Sequence, residues 1–180
     1  MTKSYEMREE KIRLHCSALA KIITEIRPIY NQVEAAQQAL IETMIGAAIW
    51  YIPKPPNAWT GKISRKALQR LHPDSHTSSW KLSEEHVYPR KIAAQQLLKN
   101  LQLTPEEMER LFREEYGRLH YITPDENKGV IRFQKAEVFT TPEAAYHQAG
   151  IDLIAVEPAD LKEIKNRSRE VINKYLKKYG

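Results

Sequence analysis

The chain is expected to be a mostly α-helical protein of the α+β class. Three observations carry that expectation. Apolar residues recur at helical spacing through much of the 180 residues. Ser or Thr followed by Pro or Glu opens several short segments, as at helix starts. Runs rich in β-branched and aromatic residues are few and only long enough for short strands. Hydrophobic residues make up 42% and charged residues 28%, so the chain can bury a core and is not compositionally disordered.

The elements follow in order. Residues 6–26 place Ile12, Leu19, Ile22, Ile23 and Ile26 near helical spacing. Pro28 is expected to end that helix or to start the next. Residues 29–51 repeat the pattern with Tyr30, Val33, Leu40, Met44, Ala48 and Ile49. Two helices joined by so short a turn form an antiparallel hairpin. The most apolar run, Leu40 to Ile52, carries Glu42, is too short to span a membrane, and reads as a buried helix end. Three prolines within Pro53–Pro56 make a break, extending to Gly61. Ser64 is an N-cap for RKALQRL, and His72 to Ser79 is a polar loop. WKLSEEHVY is a short strand, and Pro89 opens the helix RKIAAQQLLKNL. Thr104 starts a capping box before a helix that Gly117 stops. RLHYIT is a strand, Thr123 and Glu126 form a second capping box, and VIRF is expected as a strand. A helix runs from Thr141 to the Gly150 stop, IDLIAV is a short apolar run, and residues 158–178 form one basic amphipathic helix. The expected domains are a helical hairpin over residues 1–53 and a second region over 54–180.

The net charge is +5, and it is unevenly spread. Residues 54–91 hold 8 basic and 3 acidic side chains, and residues 158–180 hold 7 and 3, whereas residues 92–157 hold 7 and 11. That asymmetry fits a polyanionic partner. The single cysteine, Cys16, excludes an intramolecular disulfide framework and a Cys-based zinc knuckle, and it suits a reducing cytoplasm. The N-terminal stretch lacks the apolar core of a signal peptide. No membrane partner is expected. With 6 glycines there is no glycine-rich phosphate loop, and no Gly-x-Ser-x-Gly occurs.

The stretch SEEHVYPRK, residues 83–91, sets an acid beside a histidine, Glu85-His86, ahead of Arg90 and Lys91. The stretch YITPDENKG puts Asn127 early in a capped helix just after another strand. A metal-dependent nuclease needs a carboxylate to hold a divalent cation, an imidazole to take a proton from water, and a further ligand on a rigid element. Each residue also has a plainer place: Glu85 and His86 at a strand end, Asp125 and Glu126 complementing a helix dipole. His120 lies on the strand LHYIT, where it either faces the site across the sheet or belongs to a half-buried face. Trp59 and Trp80 are candidates for base stacking or for the core.

The string SEEHVYPRK … YITPDENKG resembles the HNH, or ββα-metal, nuclease family, over roughly residues 80–130. The resemblance implies a ββα-metal-like core interrupted by the helices of residues 90–117. It implies Glu85 and Asn127 as metal ligands and His86 as the general base. Arg90, Lys91, Lys128 and His120 would meet phosphates. Mg²⁺ is the expected ion, with Mn²⁺ substituting. Here Glu stands where Asp is usual, the interval to Asn127 is long, and the family's middle Asn has no counterpart. The resemblance implies an endonuclease on nucleic acid, DNA favoured over RNA. A homodimer would cut both strands, with the N-terminal hairpin as its interface. The alternative is a non-enzymatic DNA- or RNA-binding protein working through its basic C-terminal helix.

Overall fold

A computed structural model describes residues 3–77, 79–135 and 137–179, without the Lys3 side chain. Ser78 of the expected polar loop and the first two residues of the N-terminal stretch lie outside the described residues. The expected class holds: helices dominate, and four short strands form one mixed sheet. The chain divides into two compact units, residues 1–58 with 86–118, and residues 59–85 with 119–180. The helices of residues 90–116 therefore group with the N-terminal hairpin, not with the strands that flank them.

The first unit is helical. Helix α1 spans Lys3–Tyr30 and α2 spans Ala35–Tyr51. Pro28 does not end α1; it sits in the last turn, where the helix tolerates one lost N–H and closes two residues later. Helix α4, Arg90–Lys99, packs on α2, and α5, Pro105–Leu111, packs on α1. The chain then winds one π turn over Phe112–Tyr116. Ile12, Cys16, Ile23, Leu97, Leu98 and Met108 are fully enclosed between these helices. Arg27 donates from Nε to the Leu98 carbonyl at 3.0 Å, and Arg113 of the π turn pairs with Glu9 of α1 at 2.8 Å. The run Leu40–Ile52 is not wholly buried: Ile41, Ile45 and Ile49 face the core while Leu40, Met44, Trp50 and Tyr51 are exposed. An apolar residue on every face of a helix cannot find core on every side.

The second unit holds the sheet, in the order β2-β3-β1-β4. Strand β1, Trp59–Ser64, pairs parallel with β3, Leu119–Ile122, and antiparallel with β4, Leu153–Ala155. Strand β2 is Ser83–His86. The expected break ends at Trp59, not at Gly61, because Gly61 takes φ 80° and is absorbed into β1. Both central strands run straight into helices. Ser64 caps α3, Arg65–Leu71, and Thr123 caps α6, Pro124–Val130, each accepting from the N–H of the helix's third residue. The run VIRF is no strand; it closes α6 and continues as a 3₁₀ turn over Ile131–Phe133. Helix α7, Pro142–Gln148, ends at Gly150, whose φ is 67°. The expected single C-terminal helix is two, α8 over Leu161–Lys165 and α9 over Arg169–Lys178. They are split at Arg167, whose left-handed backbone closes a Schellman turn onto Glu163 and Ile164.

Candidate functional site

Strand β3 is buried along its whole length, and alternation sends its side chains to two faces. On one face Tyr121 stacks near Trp59, and the Lys165 ammonium lies 4.2 Å from its ring centroid. On the other, Ile122 packs with Val130 of α6 and with Ala145 and Tyr146 of α7. His120 shares this second face. Its ring meets the Tyr146 ring edge-on at 5.1 Å, and its Nδ1 stands 2.5 Å from the Thr60 hydroxyl.

Glu85, the penultimate residue of β2, lies in the same unit. It is 9% exposed, and the Gln134 side-chain amide donates to its Oε1 at 2.8 Å. Its charge is felt by the Tyr146 hydroxyl. That group is held well above the ordinary phenol range, first by burial and then by the carboxylates of Glu85 and Glu143. The Tyr146 hydroxyl oxygen is buried and has no hydrogen-bond partner among the described residues. Thr60 and His120, and Glu85 and Gln134, thus form polar contacts beside the buried Tyr146 ring and hydroxyl.

Asn127 lies half-buried early in α6, its N–H bonded to the Thr123 carbonyl at 2.9 Å. The start of α6 is fixed twice over. The Glu126 carboxylate accepts from the Thr123 N–H at 2.8 Å and from the Ser64 hydroxyl at 2.7 Å, so one side chain joins both strand-to-helix corners. Beside it the Arg70 guanidinium pairs with Asp125 at 2.9 Å and holds that carboxyl below its usual range, with Lys66 and Lys128 adding to the effect. Lys66, Arg70 and Lys128 thus gather cations near the start of α6. Lys128 itself is exposed.

His86 is the first residue of the second stretch of the helical unit. Its ring lies 4.5 Å from the Trp50 ring, and its Nδ1 is 3.4 Å from the Tyr116 carbonyl oxygen. A carbonyl only accepts, so this geometry favours the proton on Nδ1 and basicity on Nε2. The Arg90 guanidinium carbon sits 4.5 Å from the centre of the same Trp50 ring. Gly46 of α2 allows this approach, since a Cβ there would stand 3.0 Å from the Arg90 carbonyl oxygen. Lys91 is tied to Glu42, a nearly buried carboxylate 3.5 Å away that also accepts from the Tyr30 hydroxyl at 2.8 Å.

The residues singled out in the sequence therefore divide. Glu85, His120, Asn127 and Lys128 fall in the sheet unit, and His86, Arg90 and Lys91 fall in the helical unit. His120 is 4% exposed, which suits a place inside the sheet better than a phosphate contact. Lys91 serves first to balance Glu42. Trp59 is half-buried, its indole N–H donating to the Lys62 carbonyl at 2.9 Å, while Trp80 is 46% exposed beneath the Arg167 guanidinium. Sequence reasoning passed over Trp50, Gln134 and Tyr146. Trp50 lay hidden in an apolar run, and Gln134 followed a segment read as strand.

Among the described residues no group of three His, Cys, Asp or Glu could hold a metal ion, and no helix is long and apolar enough to cross a membrane. Glu85 and Asn127 each carry a hard oxygen donor, a carboxylate and an amide, of the kind that Mg²⁺ takes with water completing its shell. A comparison with protein-family models, with curated proteins and with solved structures finds no match to this chain.

Proposed function

We propose that this chain is a metal-dependent endonuclease of the ββα-metal kind, hydrolysing nucleic-acid phosphodiester bonds, with DNA favoured and a cytoplasmic setting. One observation supports this reading most. Strand β2, ending in Glu85-His86, is the sheet neighbour of β3, and β3 passes through Thr123 directly into α6, which carries Asn127. Strand, strand and helix follow in the order such a nuclease uses, with the helices of residues 90–116 set between the two strands.

Glu85 and Asn127 would hold Mg²⁺, or Mn²⁺ in its place. When bound, such an ion supplies positive charge to the phosphate and to the departing oxygen. The burial of Glu85 and its bond from Gln134 fix the carboxylate's direction. His86, turned by the Tyr116 carbonyl and backed by Trp50, would take a proton from the attacking water at Nε2. Arg90 and Lys128 would steady phosphate oxygens.

Glu85 separates this reading from a protein that only binds nucleic acid through its basic surfaces. Cleavage of supercoiled plasmid should require Mg²⁺ or Mn²⁺ and stop with EDTA, and Glu85→Ala should lower it at least ~100-fold, the range seen for lost catalytic or ligand groups. Plasmid affinity, read by gel shift, should hold or rise, because a carboxylate facing a phosphate repels it. No cutting by the wild type, with salt-sensitive shifts in both proteins, would sink the nuclease and favour the binding protein.

A further inference from the structure

Helix α1 is apolar on two separate faces. One packs Ile12, Cys16, Leu19 and Ile23 into the core. The other presents Met7, Leu14, Ile22 and Ile29 to the surface, at 51, 57, 53 and 56% exposure. Lys11, Ala18 and Glu25, all exposed, fill the gaps between them. From Met7 onward the seven residues follow at steps of four, three, four, four, three and four. That mean step stays close to the 3.6 residues of a straight helix, so the stripe stays on one side for about 33 Å. Single exposed apolar residues are ordinary, but a continuous stripe of them marks an interaction surface.

The stripe reads the same from both ends. Met7 and Ile29 lie equally far from Ala18, and so do Leu14 and Ile22. Lys11 and Glu25 lie equally far too, and they carry opposite charges. A second copy of α1, laid antiparallel with the two-fold axis at Ala18, sets each apolar side chain on an apolar one and each Lys11 on a Glu25. Residue i then meets j, and j meets i, as a closed two-fold interface demands. Ala18, the smallest side chain in the stripe, falls where the two backbones come closest. A parallel pairing would set Lys11 on Lys11 and Glu25 on Glu25, which like charges oppose.

We infer that α1 is a self-association surface, and that two copies of this chain pair antiparallel along the stripe from Met7 to Ile29. The pairing is independent of the nuclease reading, since the stripe includes none of Glu85, His86 and Asn127.

Light scattering on the full chain during size-exclusion chromatography, at tens of micromolar, tests it. The wild type should run at twice the chain mass of 21.0 kDa. Lys11→Glu alone and Glu25→Lys alone should each give the 21.0 kDa monomer, because each puts like charges at two symmetric places. Lys11→Glu with Glu25→Lys should restore the dimer. Leu14→Asp with Ile22→Asp should abolish it, with an unchanged circular dichroism spectrum because all these positions are exposed. A monomeric wild type would overturn the inference. So would a dimer that survives Leu14→Asp with Ile22→Asp, or a double charge swap no better than its single parents. The mass is read without substrate, so an inactive chain passes or fails on its own terms.

Discussion

Arg167 is, among the described residues, the one non-glycine residue with positive φ, at 64°. That backbone costs a β-carbon-bearing residue about 1–2 kcal/mol. The side chain offsets it. Its Nε donates to the Leu71 carbonyl at 3.3 Å, its Nη2 to the Pro73 carbonyl at 3.4 Å, and the guanidinium lies 4.0 Å from the Trp80 ring centroid. Arg167→Ala keeps the strain and loses the contacts, so urea unfolding should show a loss of about 1–2 kcal/mol. Arg167→Gly loses the same contacts but relieves the backbone strain, so its stability should fall between the wild type and the alanine variant. A glycine variant less stable than the alanine one would contradict this account of the turn. Nothing in the sequence marked the position, because an arginine in a left-handed turn is held there by residues nearly a hundred positions away.

Cys16 makes a second claim at this scale. It is 0% exposed, and its thiol is pushed up from 9.0 to about 12, by burial first and by Glu109 second, with Arg113 opposing. Near neutral pH the native protein should not react with a disulfide reagent until urea is added. The pKa is raised on folding, so this group's share of stability is whole below about pH 9 and falls as pH rises toward 12. Urea midpoints across that range should fall less steeply in Cys16→Ala. A wild-type thiol that reacts at once would refute its burial. Cys16 falls within the helix read over residues 6–26, and that much was legible because helical spacing is local.

At the scale of elements, the joint between α3 and α6 is the point to test. Ser64 caps α3 with its hydroxyl oxygen while donating its proton to Glu126, and Glu126 also accepts from the Thr123 N–H. Ser64→Ala and Glu126→Ala should each cost about 1–2 kcal/mol. Made together they should cost less than the sum, by about 0.5–1.5 kcal/mol, because they remove one shared bond. Strict additivity in a double-mutant cycle would mean the two corners are not joined. The caps at Ser64 and Thr123 were legible, since a cap and its N–H lie three residues apart. At Thr104 only half of the expected box forms: Thr104 accepts from the Glu107 N–H, but the Glu107 carboxylate turns to Arg110. Strand β1 was missed because prolines precede it and a glycine interrupts it. The bond between Ser64 and Glu126 spans 62 residues, and no local pattern announces it.

For the whole molecule, the class was legible and the partition was not. Counting periodic segments yields a mostly helical chain, but grouping them needs to know that α4 packs on α2 and α5 on α1, which is decided by non-local burial. The same limit applies to the candidate site. Glu85-His86 and Asn127 could be named as residue types, whereas the burial of Glu85, its bond from Gln134 and the Trp50 ring beside His86 come only from folding. The basic C-terminal helix, the basis of the binding alternative, commits Arg169 to Asp74 at 2.5 Å and Lys174 to Asp160 at 2.7 Å. Their side chains stay 60% and 56% exposed beside those carboxylates, and Lys162, Lys177 and Lys178 of the same segment are exposed as well.

The central claim is that His86 takes the proton from water, and chemical rescue tests it most directly. Supercoiled plasmid would be incubated in Mg²⁺ with wild type and with His86→Ala, each with and without added imidazole. The alanine variant should lose at least ~100-fold in nicking rate, and imidazole should restore part of it while leaving the wild type unchanged. A His86→Ala protein that cuts as fast as the wild type would contradict the assignment, and Glu85-His86 would stand as a strand end held in place by Gln134 and Trp50.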